Sequence, residues 1–228
     1  MTPAASERDP HSSPSWRLLR NAALFAPAYI ALDWASYIYP LGPFYITPWN
    51  PQPALAVVLV MGAAGVFAPE ARLELIEGEI VEMAPIGSLH AGTVADLTRL
   101  LVRLVGDAAI VWTQNPLLLD ERSMPQPDLA LLRPRVDRYK RSHPAPGDVL
   151  LLIEVSDTTL RFDVAAKMPL YARCGVAEAW VIDLNEQAIR VFREPGPGGY
   201  AASQVVTGTQ TVECVALPQV RVAAHQVF

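Results

Sequence analysis

The chain has 228 residues, a hydrophobic fraction of 51% and a net charge of −5. This length is enough for one ordinary domain with a real core and an additional segment. The acidic balance excludes a protein coated in basic surface for gripping nucleic acid, although a local phosphate-binding patch stays open. Cys174 and Cys214 are 40 residues apart with no CxxC pair, which argues against a zinc site and a disulfide framework. We therefore expect a cytoplasmic main domain.

The N-terminal region has a different composition. Residues 1–21 are rich in Ser, Pro and charge and are predicted to be a disordered leader. Residues 22–68 form two apolar pieces around the Pro-rich run TPWNPQP, and no charged residue occurs between Asp33 and Glu70. Two interpretations stay open for residues 22–60: a buried or disordered leader, or a membrane-associated hairpin with the preceding arginines on the cytoplasmic side. Each piece is short for a span, and Asp33 would be costly in lipid.

The next segment predicts a hairpin and a helix. The run LELIEGEIVEM, residues 73–83, alternates around Glu77-Gly78, which suits a two-residue turn. Ser88 can cap a helix that runs from Leu89 to about Val105 and ends at Gly106. One face of this helix is apolar, being formed by Val94, Leu97, Leu101 and Leu104.

Strands dominate the remainder of the chain. Two are predicted at 109–114 and 128–132, and VLLLIEVS, residues 149–156, has the continuous apolar character of a strand covered on both faces. A helix is predicted from about Leu160, with Gly175 past its end, and is followed by the strand EAWVID. Additional strands are predicted at 189–193, 200–206, 211–215 and 220–222. The order indicates a mixed α/β fold with a central sheet.

Three residue types conflict with their surroundings. Glu154 lies inside an apolar strand, where a carboxylate is expensive unless it is paired or binds a metal. Asp128 follows Pro127 at the start of another strand, and Lys167 lies in the following helix. Two carboxylates with an ammonium nearby can form a magnesium site beside a charge that handles phosphate or water. The alternatives are a buried Glu–Lys salt bridge and an ordinary Asp at a strand start.

From residue 61 onward the chain resembles the Uma-two family of restriction-endonuclease-like proteins, which belong to the PD-(D/E)XK superfamily. The similar stretches occur in the family's order: MGAAGVFAPEARLELIEGEIVEMAP, GSLHAGTVADLTRLL, QPDLALL, VLLLIEVSDTTLRFDVAAK and YARCGVAEAWVIDL. The resemblance implies a restriction-endonuclease-like core over residues 61–228. It also implies Asp128 and Glu154 as metal ligands and a lysine as the third member of the site.

One position departs from the superfamily pattern. Ser156 occupies the place of the motif lysine, and the resemblance implies that Lys167 takes over its role, which a flexible four-carbon side chain makes physically reasonable. Pro169 interrupts the helix, so ideal helical geometry cannot be assumed there.

Further candidates match family positions or lie close to them. Glu79 is a candidate outer metal ligand or holder of Lys167, or an exposed hairpin residue. His90 is a candidate proton carrier, or a residue that caps or packs. Asp163 is either a partner of Lys167 or a surface charge of the helix.

A basic loop, RPRVDRYKR, is the one cluster of positive charge in the sequence and a candidate contact for the phosphate backbone. Its basic residues are Arg133, Arg135, Arg138, Lys140 and Arg141. The alternative is a solvated loop.

The segment ALDWASYIYPLGPFYITPWNPQPALAVVLV resembles the opening of membrane-associated sensor domains of the MASE type. This resemblance implies membrane contact through residues 22–68.

The sequence therefore predicts a DNA endonuclease that depends on Mg²⁺ or Mn²⁺, with one or two metal ions. The competing hypothesis is a non-catalytic module that binds nucleic acid or a partner, with or without a membrane tether. A homodimer stays open.

Overall fold

A computed structural model describes residues 72–228 of the protein. The predicted leader, the apolar hairpin with its sensor-like resemblance, and the start of the main domain at residue 61 lie outside the described residues. Residues 74–228 form one compact unit. None of the helices in the described part of the chain combines the length and apolar composition needed to cross a membrane.

A mixed six-stranded sheet forms the centre of this unit. Its strands, in spatial order, are β3 (Ile110–Thr113), β4 (Leu129–Leu132), β5 (Val149–Ser156), β6 (Glu178–Asp183), β7 (Ala188–Gly196) and β8 (Gly199–Thr207). The pair β5–β6 is parallel and the other four pairs are antiparallel. Two shorter pairs lie outside the sheet: β1 (Leu73–Ile76) with β2 (Glu79–Glu82), and β9 (Thr211–Glu213) with β10 (Arg221–Ala223).

The longest of the fully buried strands is β5, which lies between β4 and β6. All eight of its residues are buried, as its continuous apolar sequence predicted. The bounds predicted for β5 and β6 agree with the structure, and the additional C-terminal strands are present as β7 to β10.

Two hairpins have tight turns, the first of which the sequence indicated. Between β1 and β2, Glu77 and Gly78 have φ values of 53° and 89°. Positive φ at both central residues suits the right-handed twist of the flanking strands. Between β7 and β8, Gly196 pairs with Gly199 across Pro197-Gly198.

The long helix α1 (Ser88–Val105) packs its predicted apolar face against the sheet. Val94, Leu97 and Leu101 are buried, and the helix ends at Gly106, which has φ 50°. The predicted cap was wrong in one detail. Gly87 is the N-cap and Ser88 the first helical residue, and no side chain caps the helix.

The second helical segment is not a regular α-helix. A short α2 (Leu160–Phe162) passes through a π-helical turn, Asp163–Lys167, into α3 (Met168–Arg173). The Met168 N–H donates to the carbonyl of Asp163, five residues earlier. Pro169 follows immediately and has no N–H to offer the preceding turn. Gly175, with φ 84°, lies just past the end.

Apolar layers cover both faces of the sheet. On one face, α1 and the β9–β10 pair pack against the strands. On the other, Met168, Leu170 and Tyr171 of the second helical segment pack with Ile76 of the first hairpin. The predicted mixed α/β class with a central sheet flanked by helices is thereby confirmed.

Candidate active site

The two predicted metal ligands lie opposite each other on neighbouring strands. Leu129 of β4 pairs with Ile153 of β5, so the preceding Asp128 lies across from Glu154. Leu129 and Ile153 both point into the core under α1. Because side chains alternate along a strand, Asp128 and Glu154 point to the other face, toward α3.

Backbone hydrogen bonds tie the two carboxylates together. The Val155 N–H donates to Asp128 Oδ2 at 2.9 Å, and the Asp128 N–H faces Glu154 Oε2 at 3.4 Å. The second contact is long for a hydrogen bond. The structure therefore brings together two acids that are 26 residues apart in sequence.

The third predicted residue, Lys167, lies at the same place. Its Nζ is 3.2 Å from Glu154 Oε1, and the Tyr171 hydroxyl donates to that same oxygen at 2.6 Å. Glu154 and Lys167 are each only 3% exposed. Lys167 is the last residue of the π-helical turn, and Tyr171 lies on α3. The sequence did not single out Tyr171.

The hairpin acid that binds Lys167 is Glu74, whereas Glu79 was the predicted candidate. Lys167 Nζ lies 3.1 Å from Glu74 Oε1 and 3.0 Å from Oε2. Glu74 is 2% exposed, and its Oε1 also accepts the Gln126 N–H at 2.8 Å. Glu79 is exposed on β2. One sequence signal was available, because Glu74 lies two residues before Ile76 and shares its inward face.

Two polar side chains hold Asp128. His90 Nε2 lies 3.1 Å from Asp128 Oδ2, and Gln114 Nε2 donates to Oδ1 at 3.2 Å. His90 belongs to the first turn of α1, so the helix reaches the site at the end of the sheet. His90, a candidate proton carrier, thus lies beside Asp128, whereas Gln114 was not anticipated.

Asp163 is buried and is bound by hydroxyl groups. Its Oδ2 accepts the Ser156 hydroxyl at 2.7 Å and the Thr159 hydroxyl at 2.6 Å. It is therefore not a surface charge of the helix. Ser156, at the place of the motif lysine, connects the end of β5 to the π-helical turn.

The site has more negative than positive charge, and this raises the pKa of Glu154. Burial is the largest cause, and the nearby Asp163, Asp128 and Glu74 add repulsion, which together outweigh the attraction of Lys167 and raise the pKa of Glu154 to about 8. Burial raises the pKa of Tyr171, and the nearby Glu154, Glu74 and Asp163 raise it further.

The other two members of the site favour their charged forms. Burial alone would lower the pKa of Lys167, but the charges of Glu154, Glu74 and Asp163 raise it above its usual value. Burial alone would raise the pKa of Asp128, but hydrogen bonding and charge from His90, with further hydrogen bonds, lower it.

The donor set fits a hard divalent cation. Two carboxylates face each other, and the surplus negative charge around Glu154 is what a cation would relieve. In residues 72–228, no group of three or more His, Cys, Asp or Glu side chains is arranged as a metal centre. Asp128 and Glu154 would therefore share the ion with water and main-chain oxygens, as Mg²⁺ tolerates.

The basic loop lies at the other end of β4 from Asp128. Arg133 follows the last residue of that strand, roughly 16 Å from Asp128 at about 3.3 Å per residue. Arg135 bonds to Asp137 and lies 3.9 Å over the Tyr139 ring. Arg138, Lys140 and Arg141 are exposed. The start of the loop is therefore remote from Asp128 along the sheet.

Comparison with known proteins supports this architecture. No curated protein matches the chain. Among solved structures, the fold is similar to a protein from Anabaena variabilis ATCC 29413 described as a "putative nuclease belonging to DUF820". The two are 17% identical, with a TM-score of 0.58 over 70% of this chain and 90% of the other. At this identity the likeness shows the fold alone.

The sequence model of a family described as "Putative restriction endonuclease" matches residues 62–225, and no part of that match covers the sensor-like segment. Because the match spans most of the chain, the protein belongs to the Uma2 (Uma-two) family.

Proposed function

We propose that this protein is a metal-dependent endonuclease that hydrolyses phosphodiester bonds in DNA. The observation that carries the proposal is the position of Asp128 and Glu154, opposite each other on one sheet face, with the Lys167 ammonium 3.2 Å from Glu154. Membership of a restriction-endonuclease family supports the same reaction class.

Asp128 and Glu154 would hold Mg²⁺ or Mn²⁺. When bound, the cation polarises the phosphate and lowers the pKa of a water molecule. His90 and Gln114 orient the Asp128 carboxylate through both of its oxygens. Tyr171 holds one oxygen of Glu154, which leaves Oε2 as the oxygen directed toward Asp128.

Lys167 supplies the positive charge of the chain at this site. An ammonium held in a buried position needs no reorganisation when negative charge develops on the phosphate. Its partners raise its pKa, so it stays protonated at neutral pH. Lys167 therefore stabilises the charge of the transition state or orients the attacking water.

Magnesium-dependent cleavage by the full chain tests this proposal. Linear and supercoiled duplex DNA would be incubated with wild type, Asp128→Asn, Lys167→Met and the exposed control Glu82→Gln, in Mg²⁺ and in EDTA. We expect cleavage only with metal, a loss of about 100-fold or more in the first two variants, and wild-type rates in the control. Equal cleavage by all four proteins would identify a contaminating nuclease.

The second candidate function is a non-catalytic binding module. It is favoured because the polar side chains of the buried cluster already pair with one another. Lys167 already donates to Glu74 and Glu154, and Tyr171 donates to Glu154. Such a module would bind DNA or a partner equally well in EDTA and in Mg²⁺. A binding isotherm that does not change with magnesium, together with an absence of cleavage, would favour it over the enzyme.

A further inference from the structure

Lys167 has two carboxylate partners that come from different parts of the fold. Glu154 lies on the central strand β5, while Glu74 lies on β1, 93 residues away from the lysine. The chain contains only two lysines, Lys140 in the exposed loop and Lys167. The buried ammonium is thus a rare group in this protein, and it lies where the carboxylates converge.

Glu74 contacts the Lys167 ammonium with more of its carboxylate oxygens than Glu154 does. Both Glu74 oxygens lie within 3.1 Å of Lys167 Nζ, and the Gln126 N–H holds one of them. Glu154 offers Lys167 one oxygen and shares it with the Tyr171 hydroxyl.

The hairpin that carries Glu74 is itself tied to the loop before β4. The Met124 N–H donates to the Leu75 carbonyl at 2.8 Å, and the Gly78 N–H donates to the Arg122 carbonyl at 2.7 Å. The same loop supplies the Gln126 N–H that binds Glu74. The carboxylate is therefore held from the backbone side as well as by the ammonium.

We propose that Glu74 is a positioning residue that keeps the Lys167 ammonium beside Glu154, acting through the lysine and not on the substrate. Calling Lys167 the catalytic amine rests on the function proposed above. When Glu154 serves as a cation ligand, Glu74 is the carboxylate that stays paired with the Lys167 ammonium. The hairpin thus completes a site whose other members lie on the sheet and the helices.

Lysine-selective ¹⁵N NMR tests the restraint without any cleavage assay. The full chain would be labelled at its two lysines, and Lys140→Arg would assign the signals. We expect a slowly exchanging Lys167 ammonium signal in wild type and in the hairpin control Glu82→Gln. It should broaden beyond detection in Glu74→Gln, because the buried ammonium loses its fixed partner. An unchanged signal in Glu74→Gln would overturn the proposal.

A second variant keeps the test decisive if Glu74→Gln does not fold. Glu74→Asp keeps the charge but shortens the side chain, so it should fold and should weaken the signal without abolishing it. A signal in Glu74→Asp identical to wild type in linewidth and exchange rate would count against positioning by Glu74.

A double-mutant cycle on cleavage tests the route of action. Glu74→Gln should lower kcat about 10- to 100-fold, as loss of a supporting partner does, with KM unchanged. Because Glu74 acts through the lysine, Glu74→Gln/Lys167→Met should be no slower than Lys167→Met alone. If kcat of the double variant instead falls by the product of the two single losses, the proposal is overturned. If wild type is inactive but its Lys167 signal still depends on Glu74, the proposed endonuclease function is wrong. The positioning role of Glu74 then remains supported.

Discussion

The charged side chains of the site are buried close together and change one another's pKa. Four carboxylates, Glu74, Asp128, Glu154 and Asp163, lie close enough to raise the pKa of Glu154 or to shape that of Lys167. A buried charge without a partner costs far more than a paired one. Removing one of these charged side chains therefore leaves a neighbouring buried charge without its partner.

Tyr171→Phe is expected to lower stability, because the hydroxyl donates to Glu154 at 2.6 Å inside the core. Loss of a hydrogen bond to a buried acid costs about 1–3 kcal/mol. Urea denaturation followed by circular dichroism would measure the free energy of unfolding. Tyr200→Phe is a matched control, since its hydroxyl binds the Val176 carbonyl at 2.8 Å outside the site. A change in Tyr171→Phe smaller than in the control would contradict the prediction.

Glu154 is also expected to make stability depend on pH. Its pKa is about 8 in the folded protein against 4.5 for a free side chain. Between these values the folded state keeps a proton that the unfolded state has released, so the free energy of unfolding falls as pH rises from about 4.5 to about 8. Denaturation of wild type and Glu154→Gln in EDTA would measure the difference. Curves that run parallel across this window would refute it.

Among the elements, a short hairpin and a helical irregularity bring side chains into the site. The β1–β2 hairpin presents Glu74 from its first strand, and the π-helical turn ends at Lys167. Single π-helical turns occur frequently at functional sites. Pro169 breaks the regular bonding pattern directly after the turn. The site thus depends on a short hairpin and on one departure from regular helical geometry.

Gly78→Ala tests the role of the hairpin turn. Gly78 has φ 89°, and an added Cβ would lie 2.9 Å from the Arg122 guanidinium, which donates to the Glu77 carbonyl. We expect a loss of about 1–3 kcal/mol, read as a lower Tm, together with a weakened Lys167 ammonium signal. Gly198→Ala is the matched control in the β7–β8 turn, where an added Cβ meets no atom within 4 Å. Equal Tm values for the two variants would be the contrary result.

Across the whole molecule, the sheet separates two charged regions. The acidic site lies where β4 begins and β5 ends, while the basic loop joins the opposite ends of these strands. Roughly 16 Å of strand separates Asp128 from Arg133, where the loop begins. A duplex that contacts the start of the loop would touch it away from the reacting phosphate.

Neutralising the exposed part of the loop should therefore affect binding and not chemistry. For the triple change Arg138→Gln, Lys140→Gln and Arg141→Gln, we expect weaker DNA binding with a salt slope reduced by up to about 3. We expect kcat at saturating DNA to stay at the wild-type value. Arg103→Gln, exposed on α1, serves as the single-charge control. A fall in kcat in the triple variant would mean that the loop reaches the reacting phosphate.

The sequence by itself determined the elements with strong local patterns. It predicted β5, β6 and the turn at Glu77-Gly78, because an uninterrupted apolar run and a turn dipeptide depend on neighbours in the chain. It also singled out Asp128, Glu154 and Lys167 as candidates, since Glu154 interrupts an apolar strand and the resemblance implied roles for the other two.

Only the tertiary structure decided which other side chains complete the site. Glu74 meets Lys167 across 93 residues, and Gln114 meets Asp128 across two strands. Alternation with Ile76 is the one local signal for Glu74, whereas its burial and its contact with Lys167 depend on the packing of the hairpin against distant elements. The π-helical turn and the remoteness of the basic loop likewise follow from packing and strand direction, which a local sequence pattern does not encode.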